Sequence, residues 1–240
     1  MSLRLITPQW SCPDNVVAYT STRKGGVSLG DFEGLNVGAH VGDNLSLVET
    51  NRQQLPHSEK IVWLEQVHGN RVVNLPTLHL KADASYSNSK AYFCAVMTAD
   101  CVPVLLCDTK GTEVAAVHAG WKGLDNQIIL HAIEQFDCKP CNIMAWIGPA
   151  ICAKCYEVDA KVAGVFKNYT GAVSPGPEPE KFLLDLPLIA ALQLTQAGVG
   201  SITQSHLCTY CQNELFYSHR RATHQNKKST GRIVSVIGLL

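Results

Sequence analysis

The sequence predicts an α+β fold in one domain, residues 1–240, with mixed β-sheets flanked by helices. Three observations lead there. Apolar residues make up 46% of the 240, enough for a sizeable core and too many for a disordered chain. Short apolar runs bounded by Gly, Pro, Asn and Asp recur along the chain, as strands do. Helical periodicity lies between them, but without the strict strand–helix alternation of a doubly wound parallel sheet.

From the N-terminus, "VVAYTS" reads as a strand running into the glycine-punctuated loop "TRKGGVSLGDFEGLNVGAHVGDN". "SLVETNRQQL" is helical, with Leu47, Val48 and Leu55 near one face. "KIVWLEQVHGNRVVNL" is expected to form a β-hairpin turning at His68-Gly69-Asn70. "YFCAVMTAD", "CVPVLLCD" and "EVAAVHAG" are β-rich, and "LDNQIILHAIEQF" is an amphipathic helix with Ile128, Ile129, Ala132, Ile133 and Phe136 on its apolar face. "NIMAWIGPAI" is a further strand and "VDAKVAGVFKNY" a helix. "SPGPEPE" is a proline-broken surface loop, and no domain boundary, because strands that complete the sheet follow it. "LDLPLIAALQLTQAGV" is a helix with Pro187 in its first turn and Gly198 at its end. "SITQSHL" and "GRIVSVIGLL" are the last strands, separated by "CTYC" and a basic stretch, "YSHRRATHQNKKSTGR", read mostly as mobile surface loop with Arg220 and Arg221 at its ordered edge.

Lys and Arg total 20, as do Asp and Glu, so the formal net charge is zero. That argues against general binding of nucleic acid or an anionic membrane surface. The opening "MSLRLITPQWSCPDN" has no signal-peptide h-region, and no run of about 18 apolar residues occurs. A cytoplasmic protein is expected, its ten cysteines mostly reduced thiols, either monomeric or weakly homo-oligomeric.

His68 in "QVHGN", Cys101 in "TADCVP" and His118 in "VHAGWKG" sit where strands break into turns, 33 and 17 residues apart. Imidazole nitrogen and thiolate sulfur are preferred zinc ligands, and three such ligands with one open position make a catalytic site. Glycines beside both histidines suit a close approach of backbone or ligand. The pairs "CKPC" (138–141), "CAKC" (152–155) and "CTYC" (208–211) compete for a metal. A knuckle across 138–155 is disfavoured, because the apolar strand between its halves spans about 30 Å when extended. Neither HExxH nor a GxxxxGK[ST] loop is present, and "HSE" at 57–59 lacks the PCxxC partner of a nucleobase deaminase. "TRKGGVS" offers Arg23 and turn amides as an anion site. Asp83 and Asp100 lie close in sequence to the ligand strands and are candidate proton shuttles.

"STRKGGVS", "GLNVGAHVGD", "EQVHGN", "MTADCVPVLL", "VHAGWKG", "GPAI", "CTYC" and "TGR" occur in this order. In this the chain resembles the YfiH-type, laccase-domain proteins (DUF152), also described as multifunctional purine nucleoside phosphorylases, from about residue 20 to the end. The resemblance implies the catalytic-domain fold of the cytotoxic necrotising factor toxins and a zinc site at His68, Cys101 and His118. It implies phosphorolysis of adenosine, inosine and methylthioadenosine, with deamination of adenosine. In this frame Arg23, Asn36, Cys155, Arg220 and Arg221 are expected to bind nucleoside and phosphate, and Cys101, Asp83 and Asp100 to serve catalysis. Copper-dependent phenol oxidation and editing of peptidoglycan precursors are also associated with the family. Nine scattered histidines suit a multicopper centre poorly. A Cys101–His118 amidase is the main rival, and a binding protein with a structural metal the third class. The chain departs from the usual pattern in "CAKC" after "GPAI", in His219 where Tyr is common, and in a longer basic insert before Thr230-Gly231-Arg232.

Overall fold

Two mixed β-sheets lie face to face, and the chain crosses between them just where its chemistry-bearing residues fall. The computed structural model describes residues 2–240. One sheet has five strands in the order Leu5–Ile6, Val16–Ser21, Ile233–Leu239, Phe93–Thr98, Ile61–Val62, antiparallel except at the last pair. The other has six, ordered Ser201–Gln204, Ile143–Ile147, Val102–Asp108, Val114–Ala119, Ala84–Ser87, Val72–Asn74, with parallel pairs at both edges. A small antiparallel sheet of Glu157–Asp159, Lys181–Leu184 and Val173–Pro175 packs at the side.

The central strands are buried on both faces, which is why they read as near-continuous apolar runs. Alternate side chains still separate. In Val102–Asp108, Leu105 and Cys107 enter the core between the sheets with Val96, Ile237 and Trp146. Val102, Val104 and Leu106 turn outward onto Ile128, Ile129, Ile189 and Leu194 of the covering helices. On the far face of the five-stranded sheet, Phe93, Ala95 and Met97 pack with Leu35, Val37 and Leu55. The result is one α+β domain.

The helix Leu186–Gln196 forms as its sequence predicts: Asp185 caps it by accepting from the Leu188 amide, Pro187 occupies its first turn, and Gly198 follows its end at φ +82°. Leu45–Gln53 is capped by Asn44. Two expectations are overturned and a third is refined. Residues 60–75 form no hairpin, because Ile61–Val62 joins the five-stranded sheet and Val72–Asn74 the six-stranded one. The chain between them is a crossover, and His68 lies on it. The amphipathic run 124–136 is two short helices, Trp121–Asp125 and Ile128–Ile133, interrupted at Gln127 with φ +62°. Its apolar face is buried as expected. The basic stretch is not all loop: His219–His224 is helical, capped by Ser218 accepting from the Arg221 amide.

Candidate functional site

Phe93–Thr98 and Val102–Asp108 are nearly contiguous in sequence yet belong to different sheets. The switch takes three residues, Ala99-Asp100-Cys101. It needs a sharp bend, and Asp100 supplies it at φ +92°. A non-glycine residue there costs about 1–2 kcal/mol, offset by hydrogen bonds to its carboxylate. Thr209 Oγ1 donates to Oδ1 at 2.7 Å, and Ser218 Oγ and the Arg220 amide donate to Oδ2 at 3.0 and 2.7 Å. The bend delivers Cys101 to the rim of the gap between the sheets.

His68 arrives from the second crossover, itself at φ +58°. The amides of Val67, His68 and Gly69 donate to the Asp83 carboxylate at 3.2, 2.9 and 2.7 Å. The same carboxylate meets His118 Nδ1 at 2.8 Å. Asp83 is fully buried and His118 nearly so. Burial would raise the Asp83 pKa, but His118 and the loop amides outweigh it and hold the carboxyl below its ordinary range. One aspartate therefore fixes both histidines, the His118 ring directly and the His68 backbone through the loop. With Nδ1 turned to Asp83, His118 presents Nε2 to Cys101.

Donor atoms of His68, Cys101 and His118 all lie within 4.8 Å of one another, and the two imidazoles meet edge-on at 4.7 Å. Burial pushes the Cys101 thiol up, yet the neighbouring His118 and His68 more than reverse this and bring it to about 6. Burial would lower His118, but Cys101 and Asp83 raise it to about 9. The trio is thus arranged to carry a thiolate. Gly120 closes over the sulfur: a Cβ there would stand 3.0 Å from Cys101 Sγ and 3.4 Å from the His68 ring. Two imidazoles and one thiolate, buried on one side and open on the other, match the donor set of a catalytic metal site, and the group could hold a metal ion.

The cleft above the trio is lined also by His40, Gln66, Met97, Thr98, His219 and Arg232. Arg232 is packed along its stem by Gly38, where a Cβ would lie 2.8 Å from Arg232 Cγ. Its amide donates to Asn36 Oδ1 at 2.8 Å, and one guanidinium nitrogen donates to the Thr230 carbonyl at 2.8 Å. Gly231 is required because the Tyr217 ring sits 2.6 Å from where its Cβ would be. Burial, reinforced by Arg232, lowers the pKa of both His40 and His219, so both imidazoles are neutral near pH 7. Gln66 is spent on the sheet edge, accepting from the Met97 amide at 2.7 Å and donating to its carbonyl at 2.8 Å.

Several expected roles move. The Asp83 and Asp100 carboxylates, expected as proton shuttles, each accept several hydrogen bonds that hold the two crossovers in place. Arg23 lies outside the cleft, in a groove with Gly25, Glu33 and Asn213. It donates to the Glu33 and Asn213 carbonyls and covers the Tyr217 ring at 4.9 Å. Asn36 is buried and holds the Arg232 backbone and the Asp43 carboxylate, so it does not face a ligand. Arg220 is bound to the Glu157 carbonyl and stacked on Tyr156, and Arg221 is bound to the carbonyls of Thr209, Tyr210 and Phe216. Cys155 does not line the cleft either. It belongs to a second cluster with Cys152, Cys208 and Cys211. The residues that sequence reasoning missed in the cleft are His40 in "GAHVGD", Gln66, and Arg232 of "TGR". A histidine and an arginine between glycines were the available signs.

A family model described as multi-copper polyphenol oxidoreductase laccase matches residues 17–240. The purine nucleoside phosphorylase YfiH of Shigella flexneri is 46% identical over 99% of both chains, and that of Escherichia coli K12 45% identical over 99% of both. Among solved structures, Neisseria meningitidis protein NMB0706, of family DUF152, superposes with a TM-score of 0.91 at 40% identity, covering 98% of each chain. No helix among the described residues is long and apolar enough to cross a membrane.

Proposed function

The chain belongs to the YfiH family, and we propose that it is a zinc-dependent purine nucleoside phosphorylase that also deaminates adenosine. The observation that carries this reading is the convergence of His68, Cys101 and His118 at the floor of a cleft whose wall presents Arg232. The donor chemistry fits zinc: two imidazole nitrogens and one thiolate, with Asp83 fixing the orientation of the His118 ring. Zinc held there supplies Lewis acidity, which polarises a substrate and acidifies water. The residues do the rest. Arg232 offers a guanidinium, sheltered from water, that holds phosphate against C1′ of the ribose. A phosphate oxygen forms the bond to C1′ as the bond to purine N9 breaks, and the base leaves with the electron pair. The proton it takes up balances the one that dihydrogen phosphate loses. Neutral His40 and His219 each have one donor and one acceptor nitrogen with which to bind the purine and relay that proton.

Adenosine, inosine and methylthioadenosine are the substrates to test. Purified protein is incubated with each, with and without phosphate, and the products are separated. Free base and ribose 1-phosphate that form only with phosphate are the expected result, and no phosphate-dependent base release from any of them refutes the reading.

The array Asp83–His118–Cys101 favours a second reading, a metal-free amidase with Cys101 as nucleophile. It is separated from the first by removing metal: amide hydrolysis that survives chelation would favour the amidase. A multicopper phenol oxidase fits less well, because only two imidazoles, those of His68 and His118, belong to the group whose donor atoms lie within 4.8 Å of one another.

A further inference from the structure

A second set of thiols lies outside the cleft and takes no part in the reaction above. "CAKC" and "CTYC" are separated by more than fifty residues, yet the fold brings them together. Ala150 bridges Cys208 in parallel, alongside the strand pair Ile143–Ile147 and Ser201–Gln204. All four Sγ atoms lie within 4.8 Å of one another, and those of Cys155 and Cys211 are 3.4 Å apart. Each CxxC closes a tight turn. The Cys155 amide donates to the Cys152 carbonyl at 3.0 Å, and the Gln212 amide to the Cys208 carbonyl at 3.1 Å. Two amides also point at a sulfur: those of Cys152 and Cys211 lie 3.3 and 3.4 Å from Cys208 Sγ. Amides directed at sulfur favour the thiolate over the thiol.

From this arrangement we propose a closed, structural tetrathiolate zinc site formed by Cys152, Cys155, Cys208 and Cys211. Four sulfurs 2.3 Å from a tetrahedral ion stand roughly 3.8 Å apart, within the spacing found here. Four soft ligands with no histidine or carboxylate among them select zinc over the hard cations, and a complete set leaves no open position for substrate. "CKPC" is not part of it: Cys138 packs on the helical core and Cys141 is exposed.

The site fastens one turn to the other beside the catalytic crossover. Thr209, inside the second turn, is the residue that donates to Asp100 Oδ1 at 2.7 Å. Arg221 clamps the same turn through the carbonyls of Thr209 and Tyr210 at 2.8 and 2.7 Å. The Ile151 amide, next to the first turn, donates to the Asp100 carbonyl at 3.0 Å. Zinc in this place would hold the support of the Asp100 bend, and so the position of Cys101, without touching the reacting atoms.

The test uses full-length protein purified without chelator. Elemental analysis is expected to give two zinc ions per chain, falling to one in the double variant Cys208→Ser, Cys211→Ser, with a thermal midpoint lower by at least about 5 °C. To keep the test independent of that variant's folding, native wild-type protein is also treated with iodoacetamide and mapped by mass spectrometry. Cys141 is expected to be modified while Cys152, Cys155, Cys208 and Cys211 are protected until a chelator is added. A single zinc per chain in the wild type, two in the double variant, iron in place of zinc, or a Cys155–Cys211 disulfide two hydrogens lighter in the untreated protein would each overturn the proposal.

Discussion

The two clusters differ in what holds them. His68 and Cys101 stand on two crossovers between β-sheets, each bent at a residue with positive φ, His118 stands on the strand Val114–Ala119, and a single buried aspartate orients the two histidines. The four cysteines stand on two turns at the edge of the six-stranded sheet, and each turn is closed by its own backbone bonds. The first group is incomplete by design, with three donors under an open cleft. The second has four donors and leaves no open position. A site that must react is built from strained positions whose cost the surrounding core offsets, whereas a site that must only hold can be built from local turns.

The sharpest way to break this comparison is Cys101→Ala. It removes a ligand without removing the bend, which Asp100 and its three donors maintain. Nucleoside turnover should fall by more than about a hundredfold, since even partners behind the ligands are worth ten- to a hundredfold. Zinc content should fall by one per chain while the thermal midpoint stays close to wild type. Loss of both metals, or unfolding, would show that the clusters are not independent.

Asp83→Asn comes next. The amide oxygen can still accept, but the charge that faces His118 and three amides is lost. Metal affinity measured by competition with a chromophoric chelator should drop about ten- to a hundredfold, and protein saturated with zinc should recover much of its activity. Activity lost with unchanged metal affinity would return Asp83 to a direct chemical role.

The sequence told more about the first cluster than about the second, for a physical reason. His68, Cys101 and His118 are each flagged locally, by a polar residue interrupting an apolar strand next to a turn. Their support is not flagged. Asp83 and Asp100 read from the sequence as candidate proton shuttles or as hydrogen-bonding turn residues, because nothing in the chain says that Val67, Gly69, Thr209 or Ser218 will donate to them. The same holds for Arg23, whose glycine-rich setting suggested an anion site, while the fold spends its guanidinium on two carbonyls and an aromatic ring. For the cysteines, nearness in sequence names no partner. The extended strand between "CKPC" and "CAKC" disfavours joining those two pairs, and the neighbour of "CAKC", which is "CTYC", emerges only through the parallel pairing of Ile143–Ile147 with Ser201–Gln204. The hairpin expected at 60–75 failed likewise, since sheet membership is a long-range property.

Two arginines sharpen the reading of the cleft. Arg232→Ala should raise the KM for phosphate or lower phosphorolysis about ten- to a hundredfold, the worth of a charge-assisted bond of roughly 1.5–3 kcal/mol. Adenosine deamination, which needs no phosphate, should suffer much less. Arg232→Lys should recover only part, because the planar fork is lost. Arg23→Ala should leave the phosphate KM within about twofold. The reverse ranking of the two variants would move the anion site to the groove of Arg23.

The smallest effect is expected from Cys141→Ser, and its value lies in being small. Cys141 belongs to a CxxC pair as regular in sequence as the other two, so motif reasoning alone would give it equal weight. The structure leaves it exposed at the end of the helix-to-strand connection, its sulfur 4.0 Å from Asn142 Oδ1 and outside both clusters. Serine keeps the size and polarity there. Surface changes of this kind shift stability by no more than about 0.5 kcal/mol, so zinc content, turnover and thermal midpoint should all match the wild type, while Cys152→Ser should lower both zinc content and midpoint. If Cys141→Ser instead costs a zinc ion, the distinction between a thiol pair placed by the fold and one placed by sequence alone fails, and the ligands of the second site must be reassigned.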